Sequence, residues 1–379
     1  MKFFSDDWGS LKHIVLYGYG TVGKSCLKKM RADFSVDFIM DRDAEKSGRH
    51  ISGIPVYAPE DGLAALSGQK IIVMTGGRVY LEISGFLRGR GLKEFRDYCS
   101  IEYFITHWYW EEKGLNCVME LHSAVTTDCT LRCRHCNMFV PFYKRGVTYD
   151  IGQLKDDADT LFRYVDYVFC YTLLGGEPFL HAHIGEFIRY LAETYGDKIG
   201  TVKVVTNGTL LPGPGTIEVL RKYPVWVSIS DYTGCVPYGD RLGELRRIFD
   251  ENAVDYTVSG LGKWLAFGFP DNPVCIGEDA CASHMRECSP IFHGYNDKKI
   301  FYCHVAWSAQ KIGLYTLQEK DFVDLERLPL SERHVIAEHC LGKIKDGYVS
   351  FCRICGGCGK DNTNYVPVGE QLKRPGGGA

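Results

Sequence analysis

Cys129-Thr-Leu-Arg-Cys133-Arg-His-Cys136 and Gly175-Gly-Glu-Pro178 stand in matching places, each after an apolar run. Val118-Met-Glu-Leu-His-Ser-Ala124 leads into the first, and Tyr167-Val-Phe-Cys-Tyr-Thr-Leu-Leu174 into the second. Both runs read as strands, the second with the continuous apolar character of a buried one. Between them Asp150 and Gln153 resemble a capping box, and Leu154, Leu161, Phe162 and Val165 form an apolar helical face. Working outward, Ile184, Phe187, Ile188 and Leu191 mark a helix that stops at Gly196. Thr201-Val-Lys-Val-Val205 and Val225-Trp-Val-Ser-Ile229 are the next two strands. This alternation over about 115–260 predicts a parallel barrel, or part of one.

The same rhythm opens the chain. Ile14-Val-Leu-Tyr17 is followed by Gly18-Tyr-Gly20-Thr-Val-Gly23 and a helical stretch with Val22, Cys26, Leu27 and Met30 on one face. Val36-Asp-Phe-Ile-Met40 ends at Asp41, and Ile54-Pro-Val-Tyr57 and Lys70-Ile-Ile-Val-Met74 complete a doubly wound pattern. An aromatic stretch (Tyr103, Phe104, Trp108, Tyr109, Trp110) bridges to the barrel. From about 271 the pattern breaks into short pieces rich in Cys, Gly and His, and Arg374–Ala379 reads as a flexible tail. The expected domains are 1–110, 111–265 and 266–379.

The chain has 379 residues, with 44 Lys plus Arg against 47 Asp plus Glu and a net charge of −3. That balance excludes a nucleic-acid binder acting through bulk positive charge. No apolar run reaches the ~18 residues of a membrane span. The opening Met-Lys-Phe-Phe-Ser-Asp-Asp lacks the apolar core of a secretory signal, so a cytoplasmic protein is expected. Sixteen cysteines in such a chain point to metal binding or catalysis rather than to disulfides.

Cys129, Cys133 and Cys136, spaced by three and two residues, can hold three irons of a four-iron cluster and leave the fourth open. The alternative is a zinc knuckle completed by His135, which the adjacency of His135 to Cys136 makes hard to close. Gly-Gly-Glu-Pro arises by chance roughly once per 10⁵ positions at ordinary residue usage. Taken with the cysteine loop one βα unit earlier, it resembles the radical S-adenosylmethionine (SAM) superfamily. The resemblance covers about 115–260 and includes Thr206-Asn-Gly208 and Ser228-Ile-Ser-Asp231.

It implies a partial (β/α)6 radical SAM barrel. Cys129, Cys133 and Cys136 would hold a [4Fe–4S] cluster whose free iron chelates the amino and carboxylate groups of SAM. Gly175, Gly176, Glu177 and Pro178 would face the amino group, with Thr206, Asn207, Ser228 and Ser230 near the ribose and carboxylate. Reductive cleavage of SAM then yields a 5′-deoxyadenosyl radical that takes hydrogen from an unactivated C–H bond. The cofactors carry that step, and the protein positions the target and excludes competitors. An electron donor such as flavodoxin or ferredoxin is implied as a partner.

The late cysteines resemble the auxiliary-cluster extensions of this superfamily, SPASM when long and twitch when short. The short form maps onto Cys288, Cys303, Cys352 and Cys355, implying a second [4Fe–4S] cluster. The usual glycine five residues before the second cysteine is Lys298 here, and the later Cys-x5-Cys-x3-Cys run is missing. A structural zinc on the same four thiols is the alternative. Cys275, Cys281, Cys340 and Cys358 stay open between ligand and buried thiol, while Cys26, Cys99, Cys117, Cys170 and Cys235 read as packing.

Gly18, Gly20 and Gly23 form a dinucleotide fingerprint after a strand, with Asp41 closing the next strand 23 residues after Gly18. Gly48, Ile51-Ser-Gly-Ile-Pro-Val56 and Pro59-Glu-Asp61 resemble the small Rossmann-like domain of some sugar-modifying proteins. A nucleotide or nucleotide-sugar, a nicotinamide, or docking alone are its candidate roles. His181 and His183 stand between the barrel mouth and a solvated loop. Asp231 and Tyr232, with Trp264 nearby, are the candidates for proton transfer to a polar substrate.

Three functions compete. An oxidoreductase or epimerase acting on a small-molecule sugar, cyclitol or nucleotide-sugar is favoured by the front domain. A ribosomal-peptide maturase commonly carries a winged-helix leader-binding unit, and the first hundred residues show none. A non-catalytic iron–sulfur or zinc scaffold conflicts with the intact cysteine loop and Gly-Gly-Glu-Pro.

Overall fold

A computed structural model of the chain describes residues 8–260, 262–288, 293–359 and 361–373. The tail expected at Arg374–Ala379 lies outside them. The chain divides into two compact units, Met1–Met119 and Glu120–Ala379.

The first unit is built on six strands: β1 (His13–Tyr17), β2 (Ser35–Met40), β3 (His50–Ile51), β4 (Ile54–Tyr57), β5 (Lys70–Val73) and β6 (Tyr98–Ser100). Their spatial order is β3-β4-β2-β1-β5-β6. β1 runs parallel to β2 and β5, as do β4 to β2 and β6 to β5, while β3 is antiparallel to β4. Helices α1 (Thr21–Asp33), α2 (Pro59–Ala64) and α3 (Gly77–Gly89) connect them. The apolar runs are buried because helices cover the sheet, and Val15, Tyr17, Phe38, Met40, Ile71 and Val73 share one core.

The aromatic stretch is helical. α4 (Ile101–Tyr103) passes through a π-helical turn over Phe104–Trp108 into α5 (Tyr109–Lys113). Trp108 packs 4.9 Å from Phe34, and Phe104 packs 6.1 Å from Trp8. These contacts hold the stretch in the first unit, which therefore runs to Met119 rather than stopping at 110.

β7 (Cys117–Thr126), which lies in the second unit from Glu120 onward, and β8 (Tyr167–Gly175), β9 (Ile199–Thr206), β10 (Val225–Asp231) and β11 (Asp255–Gly260) lie side by side in chain order. The pairs β8–β9, β9–β10 and β10–β11 are parallel. Helices α6 (Ile151–Tyr164), α7 (Ile184–Tyr195), α8 (Pro214–Lys222) and α9 (Gly239–Glu251) make the returns. Asp150 caps α6 by accepting the Gly152 N–H at 2.8 Å, one residue short of the partner a capping box uses.

The chain beyond β11 departs from a simple (β/α)6 count. β12 (Lys263–Leu265) pairs antiparallel with β16 (Tyr365–Pro367) instead of extending the parallel sheet. At the opposite edge β13 (Gly294–Asn296) pairs with β7 in parallel, followed antiparallel by β14 (Lys299–Phe301) and β15 (Phe322–Asp324). The Cys-rich region thus continues the barrel sheet, adding α10 (Glu278–Glu287) and α11 (His304–Lys311), and belongs to the same compact unit. Among the described residues no helix is long and apolar enough to cross a membrane.

Candidate active site

The parallel strands end together, and the loops that leave them are hydrogen-bonded to one another. Gly176 N–H donates to Thr126 O and Glu177 N–H to Asp128 O, both at 2.8 Å, so the loop after β8 lies directly on the loop after β7. Only glycine fits there. A Cβ on Gly175, whose φ is +142°, would lie 1.8 Å from Thr126 O, and one on Gly176 would lie 2.0 Å from Asp128 O. Pro178 then opens a single 3₁₀ turn over Pro178–Leu180.

Glu177 is fully buried. Its carboxylate accepts the Thr206 hydroxyl and the Asn207 N–H, each at 2.8 Å, and the Phe179 N–H at 3.1 Å. Burial pushes the carboxyl up to about 7, against those three donors, which favour the ionised form. The end of β8 is thereby tied to the end of β9. Asn207 carries the link onward, donating from Nδ2 to Thr130 Oγ1 at 3.0 Å and to Cys129 Sγ at 3.5 Å. Its Oδ1 accepts from the Thr209 N–H at 2.9 Å.

Cys129 also accepts the Leu131 N–H at 3.4 Å, and Cys133 accepts from Gln371 Nε2 at 3.1 Å. Burial raises all three thiols of the loop, that of Cys129 to about 12 and that of Cys133 to about 11, and repulsion from neighbouring thiols adds to it at Cys129 and Cys133. Three crowded thiols, Cys133 buried and Cys129 and Cys136 half-buried, ionise together only against a compensating cation, and an iron–sulfur cluster supplies one. Among the described residues no three His, Cys, Asp or Glu side chains converge as ligands of one metal ion would. A multi-iron cluster needs no such convergence, because each thiolate binds a different iron.

Ser228 and Ser230 alternate along β10 on the face opposite buried Val227 and Ile229. Asp231 ends that strand with its carboxylate turned to the Thr233 N–H and hydroxyl at 2.8 and 2.7 Å. Tyr232 donates its N–H to Tyr238 Oη at 2.8 Å and packs edge-on to Trp264 at 5.6 Å. His181 is buried against Tyr149 O at 2.8 Å, whereas His183 is exposed and paired with Glu186 at 3.1 Å.

Sequence reasoning missed the polar interior of the barrel. Glu120 and His122 on β7, Thr172 on β8 and Lys203 on β9 meet there. His122 Nε2 lies 2.8 Å from Glu120 Oε1, the Thr172 hydroxyl donates to the same oxygen at 2.7 Å, and Lys203 forms an ion pair with it. The Lys203 ammonium also lies 5.5 Å from the centre of the Trp226 ring. Burial works against the Glu120 charge, but Lys203 and His122 outweigh it and hold the carboxyl well below its usual range. Charged residues in the middle of otherwise apolar parallel strands were the available signal.

A second cavity is lined by Cys288, Cys303, Cys352 and Cys355, and also by Cys358, His284, Tyr302 and Phe351. Cys358 N–H donates to Cys288 Sγ and Gly357 N–H to Cys355 Sγ, each at 3.4 Å. The Cys358 thiol lowers that of Cys288 to about 7 and is itself raised, so Cys288 is the readier of the pair to ionise. His284 faces the Cys355 carbonyl at 3.0 Å from Nε2 and the Asp361 carboxylate from Nδ1. Cys303 is the residue before α11, and Ser308 on that helix donates to Met138 O at 2.6 Å, two residues past Cys136. One short helix therefore joins the two cysteine sets. Cys281 is buried outside the cavity lining, with Sγ 3.7 Å from Ile276 O, and Cys275 is exposed.

In the first unit Gly18, with φ +102°, makes the turn after β1. Gly20 precedes α1, and a Cβ on Gly23 would lie 2.9 Å from Gly18 O. The Asp41 carboxylate accepts the Tyr19 N–H at 2.8 Å, the Asp43 N–H at 2.9 Å and Lys46 Nζ at 3.2 Å. Burial opposes its charge, but those donors outweigh it and lower the carboxyl below its ordinary value.

Residues 123–276 match the family model described as the Radical SAM superfamily. A GTP 3′,8-cyclase of Chlorobaculum tepidum is 34% identical over 102 residues, which are 23% of this chain and 25% of that protein. The chain thus spans about a quarter of the length of that curated relative. Among solved structures, anSMEcpe with bound AdoMet and Cp18Cys peptide aligns at TM-score 0.42 and 13% identity, over 64% of this chain and 89% of that one. BtrN in complex with AdoMet and 2-DOIA aligns at TM-score 0.38 and 15% identity, over 63% and 92%. Streptococcus suis SuiB bound to S-adenosylmethionine aligns at 0.30 and 18%, over 37% and 32%. The strand-end loops with their three thiols fall inside the matched residues, so it is over 123–276 that the chain is similar to the radical SAM superfamily.

Proposed function

We propose that this protein is a radical SAM oxidoreductase or epimerase whose substrate is a sugar, cyclitol or nucleotide-sugar. The observation that carries the reading is the polar interior of the barrel, where Glu120, His122, Thr172 and Lys203 gather beneath the strand ends. An apolar target would cover this charged cluster without adding a partner to it, whereas a hydroxylated one offers further donors and acceptors to both charges. When bound, the cluster and SAM supply one-electron cleavage of SAM and the radical that removes hydrogen from carbon.

The chain's own residues do the rest. Cys129, Cys133 and Cys136 hold the cluster, and Gly175–Pro178 form a close-packed edge against which the amino group of SAM lies. Asn207 braces the cysteine loop through Thr130, while Ser228 and Ser230 line the way from that edge to the interior. The Glu120–His122 pair is positioned to take a proton from a substrate hydroxyl, with Asp231 and Tyr232 nearer the mouth. The second cavity fits an auxiliary cluster on Cys288, Cys303, Cys352 and Cys355, joined to the loop by α11. The strand order of the first unit and its Gly18–Gly23 turn support a Rossmann-like nucleotide site. The relative named for a reaction of GTP agrees with a nucleotide-bearing substrate.

The test is anaerobic 5′-deoxyadenosine formation with dithionite, adding small-molecule and peptide fractions of a cell extract separately. Stimulation by the small-molecule fraction is expected. Stimulation by the peptide fraction alone would replace this reading with peptide maturation. A Cβ on Gly20 meets nothing within 4 Å, so a side chain can start there, and Gly20→Trp is expected to weaken nucleotide binding without disturbing SAM cleavage.

A further inference from the structure

The last described residues return to the cysteine loop. Beyond β16 the chain turns at Gly369, where φ is +68° and a Cβ would sit 3.5 Å from the Cβ atoms of Tyr232 and Cys235. It then runs antiparallel to Arg132–Arg134: Leu372 N–H donates to Arg132 O at 2.9 Å and Arg134 N–H to Glu370 O at 2.8 Å. Cys133 and Gln371 face each other across this bridge. The Arg134–Glu370 ion pair at 3.1 Å closes its outer side.

The Gln371 amide is fully engaged. Oε1 accepts the Arg132 N–H at 2.7 Å, and Nε2 donates to Gly369 O at 2.7 Å and to Cys133 Sγ at 3.1 Å. Its orientation is fixed by these partners. Flipping the amide would set its N–H groups against the Arg132 N–H, and its oxygen against the Gly369 carbonyl and the sulfur.

We propose that Gln371 is a positioning residue for the cluster on this loop, holding the Cys133 thiolate by an N–H···S bond and making the cluster easier to reduce. This rests on the reading that Cys129, Cys133 and Cys136 hold that cluster. Reduction adds one negative charge shared with the thiolate sulfurs, so an N–H donor to sulfur stabilises the reduced form more than the oxidised one. No other side chain among the described residues donates to Cys133, so the effect belongs to one replaceable group.

The experiment is an EPR-monitored redox titration of the reconstituted full chain, with the loop cluster identified by the change in its signal on adding SAM. Gln371→Leu removes the donor and keeps the backbone bridge. At a fixed potential its reduced fraction relative to oxidised should fall about tenfold, equivalent to ~59 mV for one electron, with iron and sulfide contents unchanged. Gln371→Glu, which is isosteric and carries a negative charge, should shift the midpoint in the same direction and serves if the Leu variant loses its iron. A wild-type midpoint in a fully loaded variant, or loss of iron from both, overturns the tuning role and leaves Gln371 a structural strap. A SAM-responsive signal surviving in Cys133→Ala would instead overturn the placement of the cluster, an outcome read independently of Gln371.

Discussion

The Glu177 carboxylate accepts the Asn207 backbone N–H at 2.8 Å, so the loops that leave two adjacent parallel strands are joined by a buried side chain. The same Asn207 reaches Cys129 through its side chain, and the cysteine loop rests on that junction. Glu177→Ala leaves the N–H groups of Asn207 and Phe179 and the Thr206 hydroxyl without their acceptor. We expect a loss of about 2–4 kcal/mol in chemical denaturation of the apoprotein. Glu177→Gln keeps an acceptor oxygen and should lose less than half of that. SAM affinity of the reconstituted Ala variant, measured by calorimetry, should fall with it.

Replacing Cys129, Cys133 and Cys136 together with Ala should abolish SAM cleavage yet leave a second cluster, read as roughly four irons per chain with cysteine-ligated absorption. The later cysteines line a cavity to which Cys129, Cys133 and Cys136 do not contribute, so the loss should be confined to the loop cluster. An iron content of zero would remove the auxiliary cluster from the scheme.

Glu120 and Lys203 neutralise each other in the barrel interior. Lys203→Met strands a buried carboxylate and should cost about 3 kcal/mol in denaturation. The double variant Glu120→Gln with Lys203→Met should recover most of that stability. Substrate-dependent 5′-deoxyadenosine formation should stay lost in both. Activity returning with stability would make the pair structural rather than substrate-facing.

Asp157 is buried, and its carboxyl is pushed up to about 7 by that burial and by the nearby Asp297 carboxylate. Because its folded value exceeds the unfolded one, its contribution to stability is full below about pH 4 and fades as the pH rises through about 7. Asp157→Asn should flatten that decline and be roughly 2–4 kcal/mol more stable than the parent at pH 8. Melting of the apoprotein from pH 5 to 8 checks the sign. A parent whose stability rises across this range would contradict the assignment.

The sequence by itself settled what local geometry dictates. Cys129, Cys133 and Cys136 lie within eight residues, so their gathering follows from chain connectivity. Gly175 and Gly176 announce a close backbone approach, and the alternation of apolar runs with amphipathic stretches gave strands and helices within a residue or two of β7–β10. What only the tertiary structure decided involves partners far apart along the chain. Gln371 meets Cys133 across 238 positions, and Lys203 meets Glu120 across 83. Cys358 joins the second cavity because the chain turns at Gly357, and the aromatic helix falls in the first unit because Phe34 and Trp8 receive it. Spacing and periodicity report the conformation of a few turns of chain. Which distant segments then meet is fixed by the collective burial of the whole core, and no single stretch of sequence carries that information.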